Sequence, residues 1–308
     1  MDATKKLTKK APKNGENKFL WYSKSDWVFI AIDIIILSVF FVVIIYPLLY
    51  VLMSSVSAGN VLSLSLIPKR ISWDGYTSVF AYPFTWGSIG NAVLYTVVGT
   101  SLAMIVTILC AYALAQDFPF GRFCMTLCLI TMYFGGGLIP TYILMSKLGF
   151  VNSRWVMLIP GALSVYNMIL VRTYLSGSIP GELLEASQID GCSDTGFFFK
   201  ILLPLSKPII AVITLYYAVG HWNAYFNAMI YLNDVDKCPL QLILREILLA
   251  SQISLDDMVD VEAMVAKQGL ADILKYALIV VATAPILCVY PFIQRYFIKG
   301  VMIGSVKG

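Results

Sequence analysis

Long, unbroken apolar runs leave this chain few folds to choose from. The stretches Trp27–Met53, Ser88–Ala115, Phe123–Ser146, Arg154–Leu175, Leu205–Leu232 and Ile273–Phe297 each reach the roughly 20 residues a helix needs to cross a hydrocarbon layer of roughly 30 Å. Hydrocarbon offers no water to backbone N–H and C=O groups, so such runs must satisfy themselves as helices. A membrane β-barrel would alternate apolar and polar residues over about 10 positions, and these runs do not. Hydrophobic residues make up 59% of the 308 and charged residues 13%, against about 25% charged in soluble domains. The expected fold is an all-α integral membrane protein with six transmembrane helices across residues 27–297.

Topology follows from charge. Residues 1–26 carry Lys5, Lys6, Lys9, Lys10, Lys13, Lys18 and Lys24 but no short apolar core with a small-residue cleavage site. They read as a basic cytoplasmic tail rather than a removable signal peptide. With that end inside and six crossings, Arg122, Arg172, Lys200, Lys207, Arg295, Lys299 and Lys307 fall on the same side. Only Lys69, Arg70, Lys147, Arg154, Lys237, Arg245, Lys267 and Lys275 fall outside, as the positive-inside rule requires. Both termini, including a tail over 298–308, are therefore expected in the cytoplasm. Topology accounts for the net charge of +4, which makes no case for nucleic acid. Of the cysteines Cys110, Cys124, Cys128, Cys192, Cys238 and Cys288, only Cys238 lies in an external segment, so no disulfide framework is expected. Cys124 and Cys128 share a helix face but lack His or carboxylate neighbours, which favours packing over a metal site.

Polar residues inside the spans mark either helix packing or a water-filled path. Asp33 lies near the cytoplasmic start of the first span, where it can reach the interface, and Pro47 can kink the outer half. Between the first two spans, Trp73, Tyr76, Tyr82 and Trp86 suit an interfacial aromatic belt. Asn91 and Tyr95 stand four residues apart on one face, followed by Thr96 and Thr100. In the third span Gly135, Gly136 and Gly137 precede Pro140 and should break or thin the helix, a feature tolerated at that depth only beside protein or a cavity. In the fifth span Tyr216, Gly220, Asn223, Asn227 and Tyr231 recur every three or four residues as one polar face, with His221, the single histidine, and Trp222 beside it. Amide and aromatic groups on one face suit a sugar, and a packing seam predicts the same residues.

The one long polar interruption on the cytoplasmic side is Glu185–Pro208, which reads as a helix, a glycine turn and a second short helix. Pro180 suits a first helical turn, Glu182 and Glu185 favour the N-terminal end, and Gly191 after Asp190 supplies the left-handed residue that ends a helix. Ser193 or Asp194 can cap the second helix and Pro204 closes it. Phe197, Phe198 and Phe199 in so polar a segment imply a partner protein with a groove. Outside, Asn233–Asp272 reads as the longest loop, rich in acids, with an amphipathic helix at Leu240–Ala250 whose Leu242, Ile243, Ile247 and Leu248 can pack. A loop that long is a docking surface or a solvated charge run.

Glu185, Ala186, Gly191, Ile201, Leu203 and Pro204 resemble the EAA loop of membrane subunits of ATP-binding-cassette importers, with Ser187 in place of the second alanine. The resemblance continues through LLPLSKPIIAV into the fifth span. Met132–Trp155, Gly220–Phe226 and Tyr290–Gly308 are similar to the LplC/YtcP-like branch of maltose-importer-like carbohydrate permeases. This resemblance implies the type I ABC importer permease fold with a cytoplasmic EAA coupling loop at about 176–204, in a bacterial plasma membrane. It implies a transport subunit, not an enzyme, for an oligosaccharide such as a plant-wall fragment. The implied partners are a second homologous permease, two ATPase subunits and an external lipid-anchored solute-binding protein. No G-x-x-x-x-G-K-[ST] loop occurs, so ATP and Mg belong to the ATPases and no cofactor to this chain. The implied coupling residues are Glu185, Ala186, Asp190, Gly191, Phe197, Phe198, Phe199 and Pro204; the path candidates are Asn91, Tyr95, Tyr133, Gly136, His221, Trp222, Asn223 and Asn227. An ABC permease for a non-sugar solute is the nearest alternative. An intramembrane enzyme using His221 lacks any paired carboxylate.

Overall fold

The computed structural model of the protein describes residues 24–57, 70–116, 118–179, 181–256 and 261–304. Its helices run α1 (Lys24–Ser55), α2 (Asp74–Ala81), α3 (Thr85–Ala115), α4 (Gly121–Tyr133), α5 (Leu138–Lys147), α6 (Val165–Ser178), α7 (Gly181–Ile189), α8 (Asp194–Phe197), α9 (Leu203–Leu205), α10 (Lys207–Trp222), α11 (Tyr225–Tyr231), α12 (Leu240–Asp256) and α13 (Val261–Gly304). A π-helical turn, Phe198–Leu202, joins α8 to α9. Pro180, the lysine-rich stretch 1–23 and the acids Asp257 and Asp260 lie outside the described residues.

Among the described residues, three helices are long and apolar enough to cross a bilayer: Asp26–Ser55, Thr85–Ala115 and Ala271–Pro291. The number reaches five if each of two bent pairs is one span: Gly121–Tyr133 with Leu138–Lys147, bent by 113°, and Asp194–Leu205 with Lys207–Trp222, bent by 78°. The glycine run thus breaks the third apolar stretch as its sequence predicts. The fourth stretch is not a continuous span. It opens with a 3₁₀ turn at Arg154–Met157, and its helix, α6, has 14 residues, which at 1.5 Å each extend about 21 Å. Pro160 and Gly161 interrupt the run, and the Ser164 hydroxyl starts α6 by accepting the Asn167 N–H.

The apolar residues of α1 are almost all exposed, including Phe29, Phe40, Phe41 and Ile44, and the helix packs mainly on α13, with the Ser55 hydroxyl bonded to that of Tyr76 in α2. No water-soluble chain displays such a surface, and acyl chains are its natural solvent. Tyr50 meets Tyr276 of α13 edge to face at 5.7 Å. Asp33 is exposed on α1. Trp73 before α2 and Trp86 at the start of α3, both exposed, pair with Tyr76 and Phe80 of α2, an arrangement suited to an interfacial belt.

At the centre lies α3, packed on α10, α6 and α12. One buried cluster joins Ala103, Met168, Val171, Phe197, Phe198, Ile213 and Tyr217 toward its C-terminal half. A second joins Tyr95, Met157, Ala228, Tyr231 and Ile243 toward its N-terminal half. Polar bonds fix the helices more tightly than apolar contact can in hydrocarbon. The Tyr217 hydroxyl of α10 bonds the Thr107 hydroxyl of α3 at 2.6 Å and accepts the Ser164 N–H at the start of α6 at 3.0 Å. At the other end of α6, Arg172 donates Nε–H to the Leu114 carbonyl at 2.8 Å, a cation on one of the unpaired carbonyls of the α3 C-terminus.

The segment expected as the long external loop is mostly helical: a 3₁₀ turn at Val235–Lys237, then α12, then the first turns of α13. The predicted amphipathic helix is present and buries Leu242 and Ile243, with Ile247 and Leu248 half-buried. Tyr217→Phe removes the hydroxyl at the junction of three helices and leaves the half-buried Ser164 N–H without that acceptor. A loss of about 1–3 kcal/mol is expected, measured as a lower thermal unfolding midpoint in detergent.

Candidate functional site

The segment from α7 to α9 forms the expected knob. Helix α7 ends at Ile189, and the chain turns through Gly191 at φ +76°, a conformation that a side chain with a Cβ adopts only under strain. The Ser193 hydroxyl then accepts the Gly196 N–H and caps α8. Ser187 faces inward and donates its hydroxyl to the Leu184 carbonyl at 2.7 Å, so it needs no outside partner. After the short α9, which carries the exposed Pro204, the chain bends at Ser206 into α10.

The three phenylalanines do not act together. Phe197 is 2% exposed and Phe198 8%, both inside the α3–α6–α10 cluster, where the Phe198 ring meets Tyr112 of α3 at 5.1 Å. Only Phe199 is free, at 64% exposure, edge to face with Phe198 at 5.0 Å. The expectation that all three grip a partner is therefore corrected: two mount the knob on its own subunit. The outward surface carries Glu182, Glu185, Ala186, Asp190 and Asp194 around Ile189, which at 86% is among the most exposed apolar residues described. Sequence reasoning passed over Ile189, although its spacing from Glu185 and Ala186 puts all three on one side of a helix.

At the opposite end of α3, Asn91 and Tyr95 belong to a clamp. The Asn91 amide donates to the carbonyls of Asp236 (2.7 Å) and Cys238 (3.2 Å), and the fully buried Tyr95 donates to that of Lys237 (2.7 Å). Asn152, at φ +58°, ties the same segment to the α5–α6 connection: its Oδ1 accepts the N–H groups of Asn233 and Asp234, and its carbonyl accepts the Lys237 ammonium at 2.9 Å. No sequence pattern marked Asn152. Trp222 is likewise committed to structure, buried against α13 with its indole N–H on the Ala282 carbonyl at 2.9 Å. In this conformation Asn91, Tyr95 and Trp222 make packing contacts, which for Asn91 and Tyr95 is one of the two readings their spacing allowed.

The polar face of the fifth run is split. Helix α10 stops at Trp222, Asn223 and Ala224 form a break, and α11 begins at Tyr225. Asn223 is exposed at this break and Tyr231 is buried in the cluster at the N-terminal half of α3. Tyr216, Gly220, His221 and Asn227 stay together and, with Ser164 and Asn167 of the α6 start, line a cavity of about 240 Å³. Tyr133 and Gly136 stand apart on an exposed surface at the α4–α5 break. Among the described residues no cluster of His, Cys, Asp or Glu could hold a metal ion.

Long apolar helices around polar-lined space, with a capped polar knob at one end, define a multi-pass membrane protein of the transport kind. The chain belongs to the family of binding-protein-dependent transport system inner membrane components, matched over residues 19–303. It is 39% identical to protein LplC of Bacillus subtilis (strain 168) over 93% of this chain and 97% of that protein. It is 43% identical to the polygalacturonan/rhamnogalacturonan transport system permease protein YtcP of the same organism, over 79% of this chain and 84% of that one. Its fold matches a solved chain of a bacterial ABC transporter involved in the import of the acidic polysaccharide alginate, with a TM-score of 0.78 and 32% identity, covering 90% of this chain and 99% of that chain. It is a transport component, not an enzyme.

Within the clamp, burial pushes the Cys238 thiol up to about 11, with Glu246 and Asp234 adding to the rise. The native state therefore holds the proton more tightly than the unfolded state, whose thiol titrates near its ordinary value of 9.0. The thiol's contribution to stability is intact below pH 9 and is lost as pH climbs toward 11. Folded protein is expected to leave Cys238 unmodified by maleimide at pH 7.5 and to label it increasingly across that window, as followed by mass spectrometry.

Proposed function

We propose that this chain is one of two homologous permease subunits of an ATP-driven importer and forms half of the path for an oligosaccharide, including fragments of plant polysaccharide. The observation that carries this reading is the knob: an acidic, apolar-tipped surface turned on Gly191 and anchored from behind by Phe197 and Phe198. A surface so built suits a groove in a partner ATPase, with Ile189 and Phe199 as the apolar contacts and Glu185 and Asp190 as the polar ones. The transported substrates named for YtcP and the alginate transporter support the saccharide assignment.

In this reading the chain crosses the membrane six times, the broken α4–α5 pair and the short α6 being packed against protein rather than lipid. The basic tail 1–26, the knob at about 176–204 and the tail 298–308 face the cytoplasm. The clamp and α12 face outward, toward a lipid-anchored solute-binding protein. ATP and Mg sit on two ATPase subunits, and closure of their dimer pushes the knob. Because Phe197 and Phe198 pack on α3 and the chain continues into α10, the push passes to α10, which lines the cavity, and to α3, which packs behind His221.

Two outcomes test the coupling role in transporter reconstituted with its ATPase and binding protein. Gly191→Val adds a β-branched side chain at a left-handed residue, a strain of about 1–2 kcal/mol or more. It should retain ATP hydrolysis while cutting oligosaccharide uptake about tenfold; wild-type coupling would remove the turn from the mechanism. Ile189→Asp should weaken copurification with the ATPase and leave the unfolding midpoint unchanged, whereas Phe197→Ala should lower the midpoint by a core-truncation cost of about 3–5 kcal/mol.

A further inference from the structure

Helix α10 has two unlike faces. Tyr216, Gly220 and His221 line the polar cavity described above, while Leu215, Ala218, Val219 and Trp222 floor a second space of about 200 Å³. Val93, Thr96 and Val97 of α3 form one wall of this groove, and Pro285, Ile286 and Val289 of α13 form the other. Both helices pack on α10 but hardly on each other, which is what leaves the groove between them.

The groove offers no polar side-chain group to a ligand. The Thr96 hydroxyl oxygen is buried out of reach, the Trp222 indole N–H is committed to the Ala282 carbonyl, and every other lining side chain is apolar. An apolar cavity of about 150 Å³ stays dry and takes up apolar guests, so water does not fill this one. Left empty, its walls would forgo the dispersion contacts that close packing supplies. The rims show what the groove opens into. Val97 is 59% exposed and Val93 and Val289 47% each, as bare as the residues of α1, which packs on the same helix α13. Such a surface has acyl chains as its solvent. A single turn of helix, about 5.4 Å long and about 10–12 Å across, is larger than the whole groove, so a neighbouring helix can lie over it but not in it. An unbranched hydrocarbon chain can enter.

We infer that this groove binds one acyl chain of a membrane phospholipid, lying between α3 and α13 with its methylenes against Ala218 and the Trp222 ring. Ala218 gives the floor its depth, because a larger side chain at this position would project between the two walls. The bound chain serves as the packing partner for one face of the helix whose other face lines the polar cavity. The site requires only that the protein be embedded in a bilayer, whatever it transports.

The test uses the complete transporter in proteoliposomes that contain a phosphatidylcholine with a diazirine on one acyl chain. After irradiation, adducts are mapped by mass spectrometry. They are expected on Ala218, Val219 and Trp222 as well as on α1, although Trp222 is only 6% exposed. Ala218→Phe fills the floor, and Val97→Trp narrows the mouth from an exposed position, so the second variant folds even if the first does not. Each should abolish the α10 adducts and leave those on α1 at the wild-type yield, with copurification of the ATPase verifying assembly. Wild-type transporter labelled on α1 but not on α10 overturns the site, because a partner helix then covers the groove. Labelling of α10 that persists in the assembled variants overturns it as well.

Discussion

Helices in hydrocarbon gain little from apolar association, because acyl chains are as apolar as leucine, so close backbone approach and buried hydrogen bonds decide which helices stay together. In this protein those contacts converge on α3. Arg172 holds its C-terminal carbonyl, Thr107 holds Tyr217, Gly99 admits the His221 ring, and Tyr95 and Asn91 hold the segment at 236–238. From Tyr95 to Tyr112 the helix rises about 26 Å at 1.5 Å per residue. The clamp and the knob are thus fixed to opposite ends of one rigid strut whose length approaches the thickness of a bilayer core.

That arrangement gives the knob its mechanical sense. A loop tethered at two points would absorb a push as bending. Here Phe197 and Phe198 are buried against the same cluster as Met168 and Ile213, so α7 and α8 sit on the bundle instead of hanging from it. The bend at Ser206 then leads directly into α10, which carries His221 and Tyr216. The knob is therefore joined to the cavity-lining helix by packed side chains and continuous backbone.

The sequence made much of this legible, and its failures have physical causes. Apolar run length located α1 and α3 closely, the glycines before Pro140 marked the α4–α5 break, and Gly191 with Ser193 marked the knob's turn, because each is a local backbone requirement. Periodicity misled where the backbone departs from a regular helix: the polar face from Tyr216 to Tyr231 assumed one helix, but Asn223 and Ala224 break it. Composition also cannot say which way a side chain faces. Phe197, Phe198 and Phe199 look equivalent as a run, while two are core and one is surface. The spacing of Asn91 and Tyr95 allowed helix packing or path lining, and only the fold shows that their donors meet carbonyls of residues 236–238, far along the chain. Asn152 had no signal at all, since its role exists only once two distant segments meet.

The claim on which the account rests is that the knob's outward face is buried in an ATPase groove in the assembled transporter. The most direct measurement is the accessibility of a cysteine placed at Ile189, in a background free of other reactive thiols, to a bulky maleimide before and after assembly. The account predicts rapid labelling of the isolated subunit and strong protection in the complete transporter. Equal labelling in both would contradict it.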